Sequence, residues 1–153
     1  MSFWPFSKRE AIVPFLGPFT APVIQLFPAT DYHTFIYTVP DNMYMQPLFI
    51  SLHLALTAAA HAASGPQITF ARGTCIMAIT PPIATPASFV GSLNYNPATP
   101  TPATALYPRN WTLDMPRKLY LYPRDTITYY QSNYVALDIV GPACMHCKLW
   151  EVY

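Results

Sequence analysis

Cys144-Met-His-Cys147 is the spacing in this chain that comes nearest to chemistry, because a C-x-x-C pair supplies half of a structural zinc site. The missing ligands would have to come from Cys75, His33, His53, His61 or His146, and no second paired set exists. Haem attachment needs His directly after the second Cys, where Lys148 stands. A thioredoxin-type site needs its C-x-x-C beside a βαβ pattern, whereas this one falls in a stretch that reads as the last strand of an all-β chain. On a strand, residues three apart face opposite sides, so packing is the expected role of Cys144 and Cys147. No metal and no cofactor are expected.

The remaining polar residues do not assemble a reaction. Asp31 and His33 sit together ahead of a strand, but a Gly-x-Ser-x-Gly elbow is absent and the pair reads as a polar turn. Glu10 and Glu151 are the only Glu and lie near opposite termini, which leaves no carboxylate pair for glycoside hydrolysis. The five Gly, at 17, 65, 73, 91 and 141, are too scattered for a phosphate-cradling loop. Asp114, Asp125 and Asp138 fall at turns or strand ends, where Asp serves local hydrogen bonds. We nominate no catalytic residue and expect no enzyme.

Composition points to contact surfaces. The 153 residues are 52% hydrophobic and 15% aromatic, enough for one well-filled core. Charged residues are only 10%, against roughly 25% in an ordinary soluble domain. A surface so poor in charge has little protection against association, so neighbours are expected to cover much of it. Eight basic against seven acidic residues give no basic footprint for nucleic acid. No stretch of about 18 uninterrupted apolar residues suggests a membrane span. Three Cys, an odd and sparse set, fit a protein made in a reducing cytoplasm.

The elements expected to carry these surfaces are strands. Leu48, Ile50, Leu52, Leu54 and Leu56 alternate with Phe49, Ser51, His53 and Ala55, which places five aliphatics on one core face. The Ala58 to Ala63 run reads as that strand's end or a short turn before Ser64-Gly65-Pro66. Further runs bounded by turn residues lie at 34–39, 67–71, 75–80, 88–95, 111–113, 118–122, 126–130 and 143–152, so about eight or nine strands in all argue for an antiparallel β-sandwich. The Pro/Thr/Ala insert at 96–104 reads as a loop at one end.

Residues 1–30 differ from the 31–153 sandwich domain. Five prolines there are set among Phe3, Trp4, Phe6, Phe15, Phe19 and Phe27. Proline removes a backbone donor and fixes φ, so we expect an extended arm without sheet pairing, its rings docked into a neighbouring subunit or, as the alternative, packed along its own domain. Tyr120 and Tyr122 share a face opposite Leu119 and Leu121 and make a second aromatic surface, suited to a subunit contact or to a sugar.

The order of segments resembles a jelly-roll-like β-sandwich found in virion proteins of bacteriophages. The matching pieces are Phe35-Ile-Tyr-Thr-Val-Pro40, Leu48 to Thr57, Gln67-Ile-Thr-Phe-Ala-Arg72, Ala84 to Tyr95, Leu119-Tyr-Leu-Tyr-Pro-Arg-Asp-Thr-Ile127 and Leu149-Trp-Glu-Val-Tyr153, covering residues 35 to 153. The pattern often has Gly where Arg124 stands. The resemblance implies a non-enzymatic structural protein: a capsid decoration or cement protein, or a minor capsid protein. It would be assembled into a virion in the host cytoplasm, bound to the major capsid protein or other virion proteins and to its own copies as a trimer or other symmetric oligomer. A glycan-binding fibre or spike module is the alternative.

Overall fold

Alternation of buried and outward side chains builds the long central strands of this chain. The computed structural model describes residues 15, 17–31, 33–57, 65–80, 85, 89–96, 110–132 and 137–151. Among them are nine strands: β1 (Val23–Phe27), β2 (Thr34–Thr38), β3 (Met43–Ala55), β4 (Gly65–Arg72), β5 (Cys75–Ile79), β6 (Val90–Asn96), β7 (Asn110–Asp114), β8 (Thr126–Ser132) and β9 (Ile139–Glu151). They form a five-stranded sheet in the order β1-β9-β3-β6-β7 and a four-stranded sheet in the order β2-β8-β4-β5. Between the sheets lie Ile50, Leu52, Leu54, Leu93 and Met145 from the first, facing Ile68, Phe70, Ile127 and Tyr129 from the second.

The topology has a simple origin. The antiparallel pairs β1 with β9, β2 with β8, β3 with β6 and β4 with β5 are the rungs of one long folded-back ribbon. Rolling that ribbon up brings β9 beside β3 and β8 beside β4 and closes two packed sheets. This is the jelly-roll order, so the expected all-β sandwich is correct. β7 is an addition: it joins the sheet edge parallel to β6.

Three expectations change. Leu48 leaves the core face, because the pairing of β3 with β9 shifts between Pro47 and Phe49, and one extra residue inverts the alternation. Met45 and Pro47 take up the inner face upstream of that bulge. Residues 118–122 form no strand; Leu121 alone bridges Met45, through bonds of 2.9 and 2.7 Å, after Lys118 turns the chain with a φ of 52°. The third change moves the domain boundary. Proline density led us to bar the first 30 residues from sheet pairing, yet Pro22 and Pro28 bracket a proline-free run that pairs with β9 as β1. An edge strand needs donors on one side only, which is where flanking prolines do no harm. The sandwich therefore begins before residue 31. The Ala58 to Ala63 run and the insert beyond Asn96 lie outside the described residues.

Gly141 fixes how β1 meets β9. Its φ is +90°, and a Cβ there would stand 2.7 Å from the Pro28 carbonyl oxygen and 3.1 Å from the Phe27 ring. No side chain fits without moving backbone. Gly141→Ala is expected to destabilise the fold by about 1–3 kcal/mol, read as a lower urea midpoint; an unchanged midpoint would contradict this close approach.

Candidate functional site

The turn at Tyr122-Pro123-Arg124-Asp125 organises one end of the sandwich. Asp125 N–H donates to the Tyr122 carbonyl at 3.0 Å, Pro123 presets the first central residue, and Arg124 takes a φ of 70°. That is type II geometry, in which Gly is the usual residue at the position Arg124 holds. The buried Asp125 carboxylate accepts Tyr122 N–H at 2.7 Å and binds Arg72 through two bonds, from Nε at 2.9 Å and from Nη2 at 2.8 Å. It thereby ties the end of β4 to the start of β8. The Arg72 guanidinium also lies 4.1 Å above the Tyr122 ring, a cation–π contact. Alongside, Arg124 Nε donates to Asp41 Oδ1 at 2.7 Å, and this bond holds the Asp41 carboxyl below its usual range. Both partners are largely exposed, so the pair adds little stability.

An aromatic corner is built against this turn. The Phe15 ring centroid is 4.5 Å from that of Tyr120, 5.1 Å from Trp150, 5.3 Å from Tyr44 and 5.6 Å from Tyr122. Trp150 Nε1 donates to the Gly17 carbonyl at 3.1 Å, and Thr20 bridges Leu149 in both directions. Phe19 packs tilted against Trp150 at 5.5 Å between ring centroids, with Lys148 Nζ 4.6 Å from the Phe19 ring centre. Gly17 to Thr20, with Leu149 to Glu151, line a shallow groove beside it. The stretch from Gly17 to Thr20 thus continues β1 along β9 on its own domain.

The described rings of the arm follow the second of its two expectations, packing along their own domain. Phe15 and Phe19 pack on the chain's own Trp150, while Phe27 enters the core and stacks on Phe35 at 4.3 Å between centroids. Phe3, Trp4 and Phe6 lie outside the described residues. Tyr120 and Tyr122 do share an outward side, opposite buried Leu121, and both touch Phe15 while keeping 39% of their surface exposed. Cys147 faces the core and Cys144 the outer side of β9, so the C-x-x-C pair diverges. Among the described residues no group of three His, Cys, Asp or Glu could hold a metal ion.

The outer faces of the sheets carry a feature that sequence reading missed. On the four-stranded sheet the outward rows are Thr34, Tyr130 and Gln67; then Ile36, Thr128, Thr69 and Ile79; then Thr38, Thr126, Ala71 and Ile76. None is charged. On the five-stranded sheet Gln25, Cys144, Ser51 and Asn94 form one row, Val23, His146 and Phe49 another, and His53 pairs with Ser92. No Asp, Glu, Lys or Arg stands among them either. Charge gathers instead at one end: Asp41, Arg72, Arg117, Lys118, Arg124 and Asp125 lie at or between strand ends there, and Lys148 and Glu151 close β9 opposite the start of β3. The alternation of Thr and Ile in residues 34–38 and 126–130 was a visible signal, but the register that joins the rows was not.

No protein-family model, curated protein or solved structure matches the chain.

Three predictions test the turn and the interior. Asp125→Ala should cost about 2 kcal/mol, because bonds to a buried carboxylate are lost while the half-exposed Arg72 rehydrates. Asp41→Ala should leave the urea midpoint unchanged, and equal effects of the two would refute the distinction. Deeper in the sandwich, burial pushes the Cys147 thiol from 9.0 up to about 11 and raises the Tyr95 phenol, whose hydroxyl has no hydrogen-bond partner among the described residues. Burial also raises Tyr129, with Tyr95 and Asp138 adding to the effect. A group whose folded pKa is raised stabilises fully below its unfolded value and loses that contribution as pH climbs to the folded one. Stability should therefore decline from pH 9 toward 11, and Cys147→Ala should flatten that decline. Tyr95→Phe should raise stability near neutrality by about 1 kcal/mol, since it removes an unsatisfied buried hydroxyl. Urea midpoints measured across this pH range check both.

Proposed function

We propose that this chain is a non-enzymatic structural protein of a virus particle, a capsid decoration, cement or minor capsid protein that works by covering and bridging neighbouring subunits. The observation that carries this reading is the distribution of charge. Both sheet faces are free of Asp, Glu, Lys and Arg along the rows described above, while Ile36, Ile76, Ile79 and Val23 stand exposed on them. Protein interfaces are depleted in Lys, Glu and Asp at their centres, and exposed apolar surface marks contact sites. The jelly-roll strand order supports the same reading by analogy of fold, since double-sheet jelly rolls serve in viral capsids as well as in lectins and cupins. The order of sequence segments resembles bacteriophage virion proteins and points the same way.

A glycan-binding fibre or spike module is the second reading, favoured by the half-exposed Tyr120 and Tyr122. Phe15 occupies one side of both rings, which leaves less of that platform for a sugar. The test is sedimentation of the full chain, alone and mixed with empty particles assembled from the virion proteins encoded alongside it. Multimers or co-sedimentation with particles are expected. A chain that stays monomeric at millimolar concentration, ignores particles and binds a glycan array would overturn the assembly reading for the alternative. Any truncation of the arm should stop at residue 14, because removing residues 1–30 also removes β1 and the core ring of Phe27.

A further inference from the structure

We infer that the outer face of the four-stranded sheet is a self-association surface, which a second copy of this chain covers about a two-fold axis near Thr128 and Thr69. The inference rests on the assembly reading above and names the partner of one face. Thr128 and Thr69 are paired on the two inner strands, β8 and β4, and so occupy the middle of the face. Ile36 and Ile79 extend the same row to the two edges, 64% and 44% exposed, and Thr34 pairs with Tyr130 in the next row.

A two-fold contact brings each residue on the axis near its own copy, so any charge there meets a like charge. This face has none to meet. Its polar side chains are hydroxyls and the Gln67 amide, each both donor and acceptor, so a threonine on the axis facing its own copy can give one bond and take another. Isoleucine against isoleucine is equally self-compatible. A partner recognised by charge would find nothing here to pair with. The five-stranded sheet is less suited: Ser51 Oγ already donates to Asn94 Oδ1 at 3.1 Å, and its rows include His53 and His146, which would meet their own imidazoles.

The size of the face sets the strength of the contact. Four strands about 4.8 Å apart, with lengths up to about 23 Å, give a patch of about 400 Å² per copy. The pair would bury roughly 800 Å², below the approximately 1,000 Å² expected of an independent stable dimer. The contact is thus weak alone and suited to repetition within an assembly, where linked contacts reinforce one another.

The experiment is equilibrium sedimentation of the full chain over a range of concentration, with charges placed at the centre of the face. Wild type should associate reversibly. Thr128→Lys alone and Thr128→Asp alone should each weaken that association at least about tenfold through like-charge opposition across the axis. An equimolar mixture of the two should restore it. Ser92→Lys, on the outer face of the other sheet, should associate as wild type does. The pair Thr69→Lys and Thr69→Asp supplies the same readout if circular dichroism shows that a variant at 128 has lost its strands. Wild-type association by Thr128→Lys, loss of association in Ser92→Lys, or a mixture that fails to re-associate would each overturn this surface and leave the assembly reading standing. A wild-type chain that is monomeric throughout and also ignores particles would overturn both.

Discussion

The antiparallel ladder between β3 and β9 is the constraint on which the rest of the molecule hangs. Both strands are thirteen residues long and run side by side through the middle of the five-stranded sheet. Their inner faces supply Met45, Ile50, Leu52 and Leu54 against Ala143, Met145 and Cys147, which sets the floor of the core. β1 and Thr20 pair with the outer edge of β9, and β6 pairs with the other edge of β3 and carries β7 on its far side. A slip of one residue in that ladder would turn every one of these side chains to the wrong face. The bulges after Pro47 and Leu52 are therefore part of the design, since they absorb irregularity without losing the register beyond them.

The placement of charge follows from the same geometry. The inner side of each strand is taken by the core, so the alternate residues face out, and in the rows described they are Thr, Ser, Gln, Asn, Tyr, Ile, Val, Ala, Phe, Cys and His. Charged side chains are left to the ends of strands, where Asp125 and Arg72 turn a potential liability into a joint between β4 and β8. Surfaces of this kind keep no partner away by charge. They suit a chain whose faces are covered by others, and the polar, charged end is the part best suited to remain in water.

The aromatic corner shows how a strap can be secured by ring contacts with few hydrogen bonds. Phe15 meets four rings from three separate stretches of chain, and each such pair contributes about 0.5–1.5 kcal/mol beyond its buried area. Aromatics that composition alone marks as free for a partner are thereby consumed within the domain. Tyr120 and Tyr122 retain partial exposure because they sit beyond the last bridge at Leu121, on the rim of the packing.

The sequence by itself determined the class of fold. Period-two alternation in 50–56, 67–71 and 126–130 reflects local backbone geometry, which each strand carries independently of its neighbours. The turn at Pro123 was legible for the same reason: Pro and Asp act within four residues, and the structure adds only that Arg124 bears the positive φ. The tertiary structure alone decided which strands adjoin, because pairing of β1 with β9 joins residues more than a hundred positions apart and no local signal encodes it. It decided that β1 exists at all, since an edge position tolerates flanking prolines that a central strand could not. It decided the fate of Leu48, displaced by a bulge that only the partner strand defines. The charge-free face likewise had its residue types written in the chain, but became a surface only when register set Ile36, Thr128, Thr69 and Ile79 in one row.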